Sequence, residues 1–489
     1  MLILLITLCQ LQKNKTTIMK NIFNAVILIS FICITNITYP GNIPKSINAK
    51  TYNQIKIILN TISPDSLKSY DHTLVSFGTR QTMSDTVSST RGIGAARRWI
   101  ISKFNSFSAV DPDFKVYEDE FTLNNVPRIN IPTKLVNVYG ILWGKEGENG
   151  RYIIISGHMD SRCTDIMNYT SDAPGADDDG SGVSLSIEAA RVFTANHFKP
   201  NANIIFMCFD GEEQGLYGSE HFASDARKKN MSIIADLNND IVGAVRGGNG
   251  ILNNNTIRLF SEYYDSLEIG NREISAGRIG YENDSPSREL ARYIKSNSKE
   301  FLPSFNIELI YRQDRFLRGG DHYSFNKYGY AGVRFTEPNE DYHHQHQDVR
   351  TENEFVNGKE MKVLYGDLPQ FMDYKFLSKV CRINTLNAAL LSISPEAPQH
   401  LEMLVDKLEY GTRFKWENAD MGKNISGWKI YYRKTYEPYW SGFVPVEGSA
   451  NSTIEYNLKS LSKDNYIFGI STVGTNGIES IPIAPLPGR

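Results

Sequence analysis

The sequence predicts an α/β protein, a mostly parallel sheet sandwiched by helices, with a small all-β sandwich at the C-terminal end. Three observations predict it. Four short, continuously apolar runs, residues 152–156 (YIIIS), 203–209 (NIIFMCF), 232–237 (SIIADL) and 331–335 (AGVRF), have the pattern of strands covered on both faces. Segments of helical spacing separate them, and alternation of strand and helix implies a parallel sheet. Near Pro395 the pattern changes to short alternating strands.

The chain has 489 residues, enough for two to four domains or one large domain with appendages. Hydrophobic residues make up 41% and charged residues 22%, which excludes wholesale disorder and a multi-span membrane protein. A net charge of −3 argues against a general nucleic-acid binder. Of the five cysteines, Cys9 and Cys33 lie in apolar N-terminal runs. Cys163, Cys208 and Cys381 are far apart, with no CxxC pair, so a disulfide scaffold and a cysteine zinc ribbon are excluded. Any metal must be held by His, Asp and Glu.

Residues 1–40 read as a signal-peptide region. Met19-Lys20 opens it, residues 22–34 (IFNAVILISFICI) are almost wholly apolar, and a polar exit follows. A second apolar run lies within residues 1–18, which makes Met19 an alternative start. The alternative to cleavage is an uncleaved anchor. The expected product is exported, periplasmic or extracellular, with no stable membrane span in the mature chain.

Residues 41–395 read as one domain. Its first part, about 50–107, is mostly helical: Ile55, Ile58, Leu59 and Ile62 fall at helical spacing, and residues 92–107 repeat the pattern. Further helices are expected at 181–198, 216–229 and 287–298, and a helical stretch over 361–393 closes the region. After the linker-like Pro395-Glu-Ala-Pro398, strands are expected at 413–416, 427–433, 452–458 and 465–473.

In such sheets, sites gather beyond the carboxyl ends of the strands. The first run ends in GHMDS, where His158 and Asp160 share a side of the extended chain. A His can bind metal while a carboxylate orients it; alone, the pair is equally a surface turn. PGADDDGSG precedes a helix, and its three adjacent acids repel unless cations neutralise them. They could also be a solvated helix N-cap, or a calcium loop lacking EF-hand spacing. The second run leads into Asp210-Gly-Glu212-Glu213, whose diverging side chains can hold a metal and face a reacting water, or merely form a turn. Asp240 closes the third run. After the fourth come Tyr342-His343-His344-Gln-His346-Gln-Asp348, with three of the nine histidines. Singly these signals are ambiguous. Together they place His and acidic groups at successive strand ends, an N/O ligand set that suits a hydrolytic metal pair, zinc foremost.

GHMDS, PGADDDGSG, FDGEEQGLYGSE, NNDIVG and HHQHQD, in this order, resemble the co-catalytic zinc aminopeptidases of peptidase family M28. Residues 76–80 (SFGTR), 92–97 (GIGAAR) and 319–325 (GGDHYSF) add to the resemblance, which covers about residues 50–395. It implies the zinc exopeptidase fold and two zincs per chain: His158 and Asp240 on one, Glu213 and His344 on the other, Asp178 bridging. His344 is the family's histidine four residues before an Asp, here Asp348, with His343 and His346 crowding it. The resemblance further implies Asp160 as the supporting acid and Glu212 as general base. The implied reaction is hydrolysis of N-terminal peptide bonds by a water activated between the two zincs. The substrates would be peptides with a free N-terminus, whose amine is drawn to the acid-rich end. Asp321, His322 and Tyr342 are candidate substrate-binding residues of the cleft. The alternatives are a one-zinc glutaminyl-peptide cyclotransferase of the same fold, a dipeptidase or carboxypeptidase, and a binding protein that has lost catalysis. Residues 396–489, with their early Trp, the alternating WKIYYR strand and YIFGIS followed by Thr-Asn-Gly, resemble a fibronectin type III domain. Such a module implies contact with a surface or polymer, or a stabilising appendage.

Overall fold

The computed structural model describes residues 47–269, 272–356, 359–418, 424–449 and 451–488. The expected signal region, 1–40, lies outside them. No helix among the described residues is long and apolar enough to cross a membrane.

Three helices open the structure: α1 (Ala49–Thr61), α2 (Pro64–Ser76) and α3 (Ile93–Ser108). Asn48 and Ser63 start the first two, each accepting a hydrogen bond from a backbone N–H three residues on, and Pro64 fits the first turn because it lacks an N–H. The hairpin β1 (Phe114–Leu123) and β2 (Thr133–Leu142) follows, and then β3 (Arg151–His158), α4 (Gly180–Ala195) and β4 (Asn203–Phe209). A short turn α5 (Glu212–Gly215) and α6 (Tyr217–Lys228) lead to β5 (Ser232–Asn239) and β6 (Thr256–Ser261). The small ribbon β7 (Ser266–Ile269) and β8 (Arg272–Ser275) precedes α7 (Pro286–Phe301), β9 (Asn306–Ile310), α8 (His322–Lys327) and β10 (Gly332–Thr336). The ribbon β11 (Arg350–Val356) and β12 (Lys359–Tyr365) and the helix α9 (Tyr374–Ile393) complete this part.

The main sheet has eight strands in the order β1-β2-β4-β3-β5-β10-β6-β9. The four apolar runs are its centre: β4, β3, β5 and β10 are consecutive and mutually parallel. Their side chains are buried on both faces, which explains the unbroken apolar pattern. The remaining contacts within the sheet are antiparallel, except β6 with β9. Helices α4 and α9 cover one face, and α4 is buried on almost every residue. Each fully buried Ile or Phe there contributes about 1.5–3 kcal/mol. The site end of α4 approaches the sheet so closely that a Cβ on Gly182 would lie 2.1 Å from the Asn239 carbonyl oxygen, and one on Gly157 2.7 Å from Asp179.

The helix expected over 361–393 is corrected at its start. Residues 359–365 form β12, paired with β11, and the helix begins only at Tyr374. Asp373 sets that start, its carboxylate accepting from the N–H groups of Lys375 and Phe376.

The C-terminal part is all-β: β13 (Gln399–Leu404), β14 (Thr412–Glu417), β15 (Ile425–Lys434), β16 (Gly442–Glu447), β17 (Thr453–Leu458), β18 (Tyr466–Gly474) and β19 (Leu486–Gly488). Two sheets, β17-β14-β13-β19 and β16-β15-β18, face one another. Trp416 meets Trp428 and Phe414 meets Phe468 across the gap. Leu267, Ala276 and Tyr281, from the β7–β8 region, are buried in that same core. A buried ion pair, in which Arg433 Nη2 lies 2.7 Å from both oxygens of Asp284, and a hydrogen bond from the Trp440 indole to Glu289 at 3.1 Å lie along the seam.

Candidate metal centre

The strand ends converge as the sequence suggests. His158 closes β3, and its Nε2 lies 3.2 Å from Asp178 Oδ1 and 3.9 Å from oxygens of both Glu212 and Asp240. On the other side of Asp178, Oδ2 lies 3.0 Å from His346 Nε2, which is also 3.3 Å from Glu213 Oε2. Two groups of potential ligands result, His158–Glu212–Asp240 and Asp178–Glu213–His346. Asp178 faces both histidines, one with each oxygen.

The second histidine differs from the expectation. His344 does not face the acids: its ring stacks on Phe371 at a 3.5 Å centroid distance, and its Nδ1 is 3.7 Å from Asp341. His343 pairs with Asp341 at 2.6 Å. His346 takes the place because the chain turns there, with φ +53° at His346 itself. The sequence spacing to Asp348 could not choose among three neighbouring histidines.

The three adjacent acids have three different jobs. Asp177 accepts the N–H groups of Gly243 (2.7 Å) and Ala244 (3.2 Å) beyond β5. Asp178 faces the histidines. Asp179 caps α4 through Gly182 N–H at 2.8 Å and accepts His158 N–H at 2.9 Å. Asp367, which the sequence reading passed over, holds Asp177 and Asp178 in place by accepting both backbone N–H groups, at 2.8 and 2.7 Å. Nothing in the local motif YGDL marks it.

Asp160 sits behind the centre. Its two oxygens accept the N–H groups of Glu212 and Glu213, each at 3.1 Å, and Oδ2 also takes the Thr82 hydroxyl at 3.1 Å. His158 Nδ1 lies 3.1 Å from the Asp160 carbonyl oxygen and 3.5 Å from its carboxylate, which fixes the ring with Nε2 forward. Gly211, at φ +74°, makes the turn that presents Glu212 and Glu213. Buried Arg80 ties the two preceding loops together by donating to the carbonyls of Met159, Pro174 and Gly175 at 2.6–2.8 Å. Arg334, also missed from sequence because it lies inside an apolar run, bridges Asp240 Oδ1 (2.9 Å) and Asp314 Oδ2 (3.0 Å).

Two of the three candidate cleft residues lie elsewhere. Asp321 and His322 are fully buried beneath the centre, where substrate does not reach, because α8 packs against β5 and β10. Burial pushes Asp321 up to about 7, with Asp160 and Asp240 adding to the rise against the pull of His158. His322 is held down to about 4, and its Nε2 engages the Gln313 carbonyl at 2.9 Å. Tyr342 is exposed.

The donor set fits metal ions. His158 Nε2 and Glu213 Oε1 are buried yet have no hydrogen-bond partner among the described residues. Burial and the neighbouring charges of Asp240 and Glu213 push the Glu212 carboxyl well above the usual range. Burial alone would lower His346, but Glu213 and Asp178 raise it to about 10. The buried acids outnumber the fixed cations Arg80 and Arg334 beside them, and such an excess is what divalent ions neutralise. Imidazole and carboxylate donors without thiolates suit a catalytic zinc site.

The profile of peptidase family M28 matches residues 137–359. A probable zinc metalloprotease of Pyrenophora teres f. teres is 39% identical over 437 residues, spanning 89% of this chain and 87% of that protein. The chain belongs to peptidase family M28. It is a zinc metallopeptidase. A second relative, a probable zinc metalloprotease of Leptosphaeria maculans, is 38% identical over 89% of this chain and 97% of its own length. Among solved structures, the LapA aminopeptidase of Legionella pneumophila shares the fold, with a TM-score of 0.51 over 72% of this chain and 78% of that one at 18% identity.

Proposed function

We propose that this M28 peptidase is an aminopeptidase that uses two zincs, with His158 and Asp240 holding one, Glu213 and His346 the other, and Asp178 between them. The observation that supports it is Asp178, whose two oxygens face the two histidines from opposite sides. When bound, the metals supply an acidified water and take up charge on the scissile carbonyl oxygen. The chain's own residues do the rest. Glu212 accepts the proton of the attacking water and returns it to the leaving amine. Its side chain is 13% exposed, against 6% or less for His158, Asp178, Glu213 and Asp240, so the base stands on the open side. Asp160 keeps Glu212 and Glu213 on their turn. The same acids attract a substrate's free α-ammonium, which favours cleavage next to the N-terminus.

A one-metal cyclotransferase would need only one of the two ligand groups. Export is part of the proposal, on the strength of residues 1–40. So is a fibronectin type III-like C-terminal sandwich, supported by the strand order β17-β14-β13 opposite β16-β15-β18. The experiment is hydrolysis of free and N-acetylated aminoacyl-arylamides by the mature chain, with and without a chelator. Chelator-sensitive cleavage of the free-amine substrates alone supports the reading. Cleavage of the acetylated series refutes it.

A further inference from the structure

Helix α7 carries a basic stripe. Arg288, Arg292, Lys295 and Lys299 follow one another at spacings of four, three and four, which sets them on one face. Aromatic rings accompany the stripe. The Arg288 guanidinium lies 4.3 Å from the Tyr311 ring centre, that of Arg292 5.4 Å from Tyr311 and 5.8 Å from Trp440, and Lys295 Nζ 5.5 Å from Tyr439. The first half of the stripe is neutralised inside the protein. Arg288 donates to the Glu262 carbonyl at 3.0 Å, with the carboxylates of Asp284 and Glu262 near it. Arg292 meets Glu289 and lies 3.6 Å from Asp284. The second half is not neutralised. Among the described residues neither Lys295 nor Lys299 forms an ion pair; Lys295 Nζ donates to the Ile307 carbonyl at 2.7 Å. Like charges one helical turn apart repel. Burial holds the Lys295 ammonium below the usual lysine range, and Lys299 adds to the fall against the pull of Glu308.

This second half lines a cleft of about 320 Å³ between α7 and the C-terminal sandwich, whose other wall bears Tyr431, Tyr439 and Trp440. The volume is that of a small-ligand site. Glu479 is the acid on that wall, and it is already taken. Lys429 Nζ lies 2.5 Å from one oxygen, and the Tyr431 and Ser471 hydroxyls donate to the other at 2.7 and 2.9 Å. The cleft therefore offers two ammonium groups without a counter-charge beside aromatic faces, and Tyr439 is 46% exposed. An anion answers the ammonium groups, and the apolar face of a ring covers the aromatic side chain. The Ser296 hydroxyl and the Asn297 amide on the helix wall suit a ring that bears hydroxyls. An acidic peptide would use the ammonium groups and leave the rings without a partner. The cleft shares no residue with the two ligand groups of the metal centre.

We propose that this cleft binds an acidic polysaccharide, with Lys295 and Lys299 on a carboxylate and Tyr439 against the sugar ring. The proposal gives the seam with the C-terminal sandwich a ligand and does not depend on the peptidase reading.

The test is calorimetric binding of hexagalacturonate to the zinc-loaded full chain, beside its neutral methyl ester and hexaglutamate. Wild type, Lys295→Gln, Lys299→Gln and Tyr439→Ala are compared. Hexagalacturonate should bind about tenfold or more tightly than the ester, and either lysine change should weaken it about tenfold. Tyr439→Ala should weaken it about fivefold, and added salt should weaken it in the wild type. Zinc per chain and arylamide hydrolysis should hold in every variant. Lys299 is exposed, so Lys299→Gln keeps the fold and carries the test should Lys295→Gln fail to fold. No binding of hexagalacturonate, equal binding of the methyl ester, or binding that Lys299→Gln leaves unmoved overturns the proposal. Equal binding of hexaglutamate, lost with the lysines but not with Tyr439, overturns the sugar assignment and makes the cleft a site for acidic peptides.

Discussion

Asp160→Asn is nearly isosteric, yet the structure gives it a large effect. Both oxygens of Asp160 accept a backbone N–H at 3.1 Å, from Glu212 and from Glu213, and Oδ2 also accepts the Thr82 hydroxyl. An asparagine there keeps one acceptor. Its amide NH2 must oppose one of the two N–H groups, whichever way it is turned. The hydroxyl of Thr82 can rotate to accept; a backbone N–H cannot. One charge-assisted hydrogen bond is lost, worth about 1.5–3 kcal/mol, and one buried donor is left unsatisfied. Relief of repulsion offsets part of this, since Asp160 raises the proton affinity of both Asp210 and Asp321. The net cost is about 2–3 kcal/mol. The displaced element is the turn of Glu212 and Glu213, so a shift of about 1 Å lowers kcat by about 10²-fold and zinc affinity by about 10- to 100-fold. Urea denaturation, zinc per chain and arylamide hydrolysis read the three effects. An unchanged midpoint with kcat within about threefold of wild type would show that Asp160 does not organise this turn.

Glu212→Gln should keep both zincs and lower kcat at least about 10²-fold; near-normal turnover would remove Glu212 as the base. Asp178→Ala should lose zinc along with activity, and full occupancy by elemental analysis would end its bridging role. Glu262, half-buried and beside Asp265, has its carboxyl pushed up to about 7 by burial first and Asp265 second. A raised carboxyl binds its proton more tightly in the folded state, so wild-type stability falls as pH rises from about 4.3, the ordinary Glu value, to about 7. Glu262→Gln should therefore raise Tm at pH 8 and leave it unchanged at pH 4, and equal gains at both pH values would refute the assignment. A chain ending at residue 395 should not fold as a soluble monomer, because Leu267, Ala276 and Tyr281 would lose the core they share with the C-terminal sheets. A cooperative melt and monomeric elution from that fragment would contradict this.

The centre of the fold is legible because it is buried on both faces. β3, β4, β5 and β10 each read as an unbroken apolar run, and no pairing other than a covered parallel sheet satisfies four such runs joined by helices. The flanking strands are not legible for the opposite reason. β1 alternates one half-covered face with exposed residues, and β11 and β12 are largely exposed; Met361, Val363 and Tyr365 alternate at strand spacing, which the expectation of a helix from 361 passed over. The seam with the C-terminal sheets is illegible on other grounds. A composition shift near Pro395 marks a change of strand pattern, but it carries no sign that residues 264–281, more than a hundred positions earlier, supply part of the later core.

The same distinction governs the site. Strand position fixes which face a residue takes, so His158, Asp160 and Asp240, at or just past the ends of strands, are placed by period alone. Asp177, Asp178 and Asp179 lie on a turn, where period gives no direction, and the readings of helix cap and metal-facing acid fall to different neighbours. Asp179 is the cap and Asp178 faces the histidines, while Asp177 is the buried clamp on Gly243 and Ala244. The histidines repeat the lesson in a longer loop. Tertiary contacts sort them, Asp341 taking His343, Phe371 taking His344, and the turn at φ +53° sending His346 to Asp178. Phe371 and the turn lie outside the motif's spacing, so a register counted from Asp348 selects His344, two residues before the ring that faces Asp178 and Glu213. The direction of a side chain on a strand end can be read from one sequence; that of a side chain on a loop needs the contacts that hold the loop.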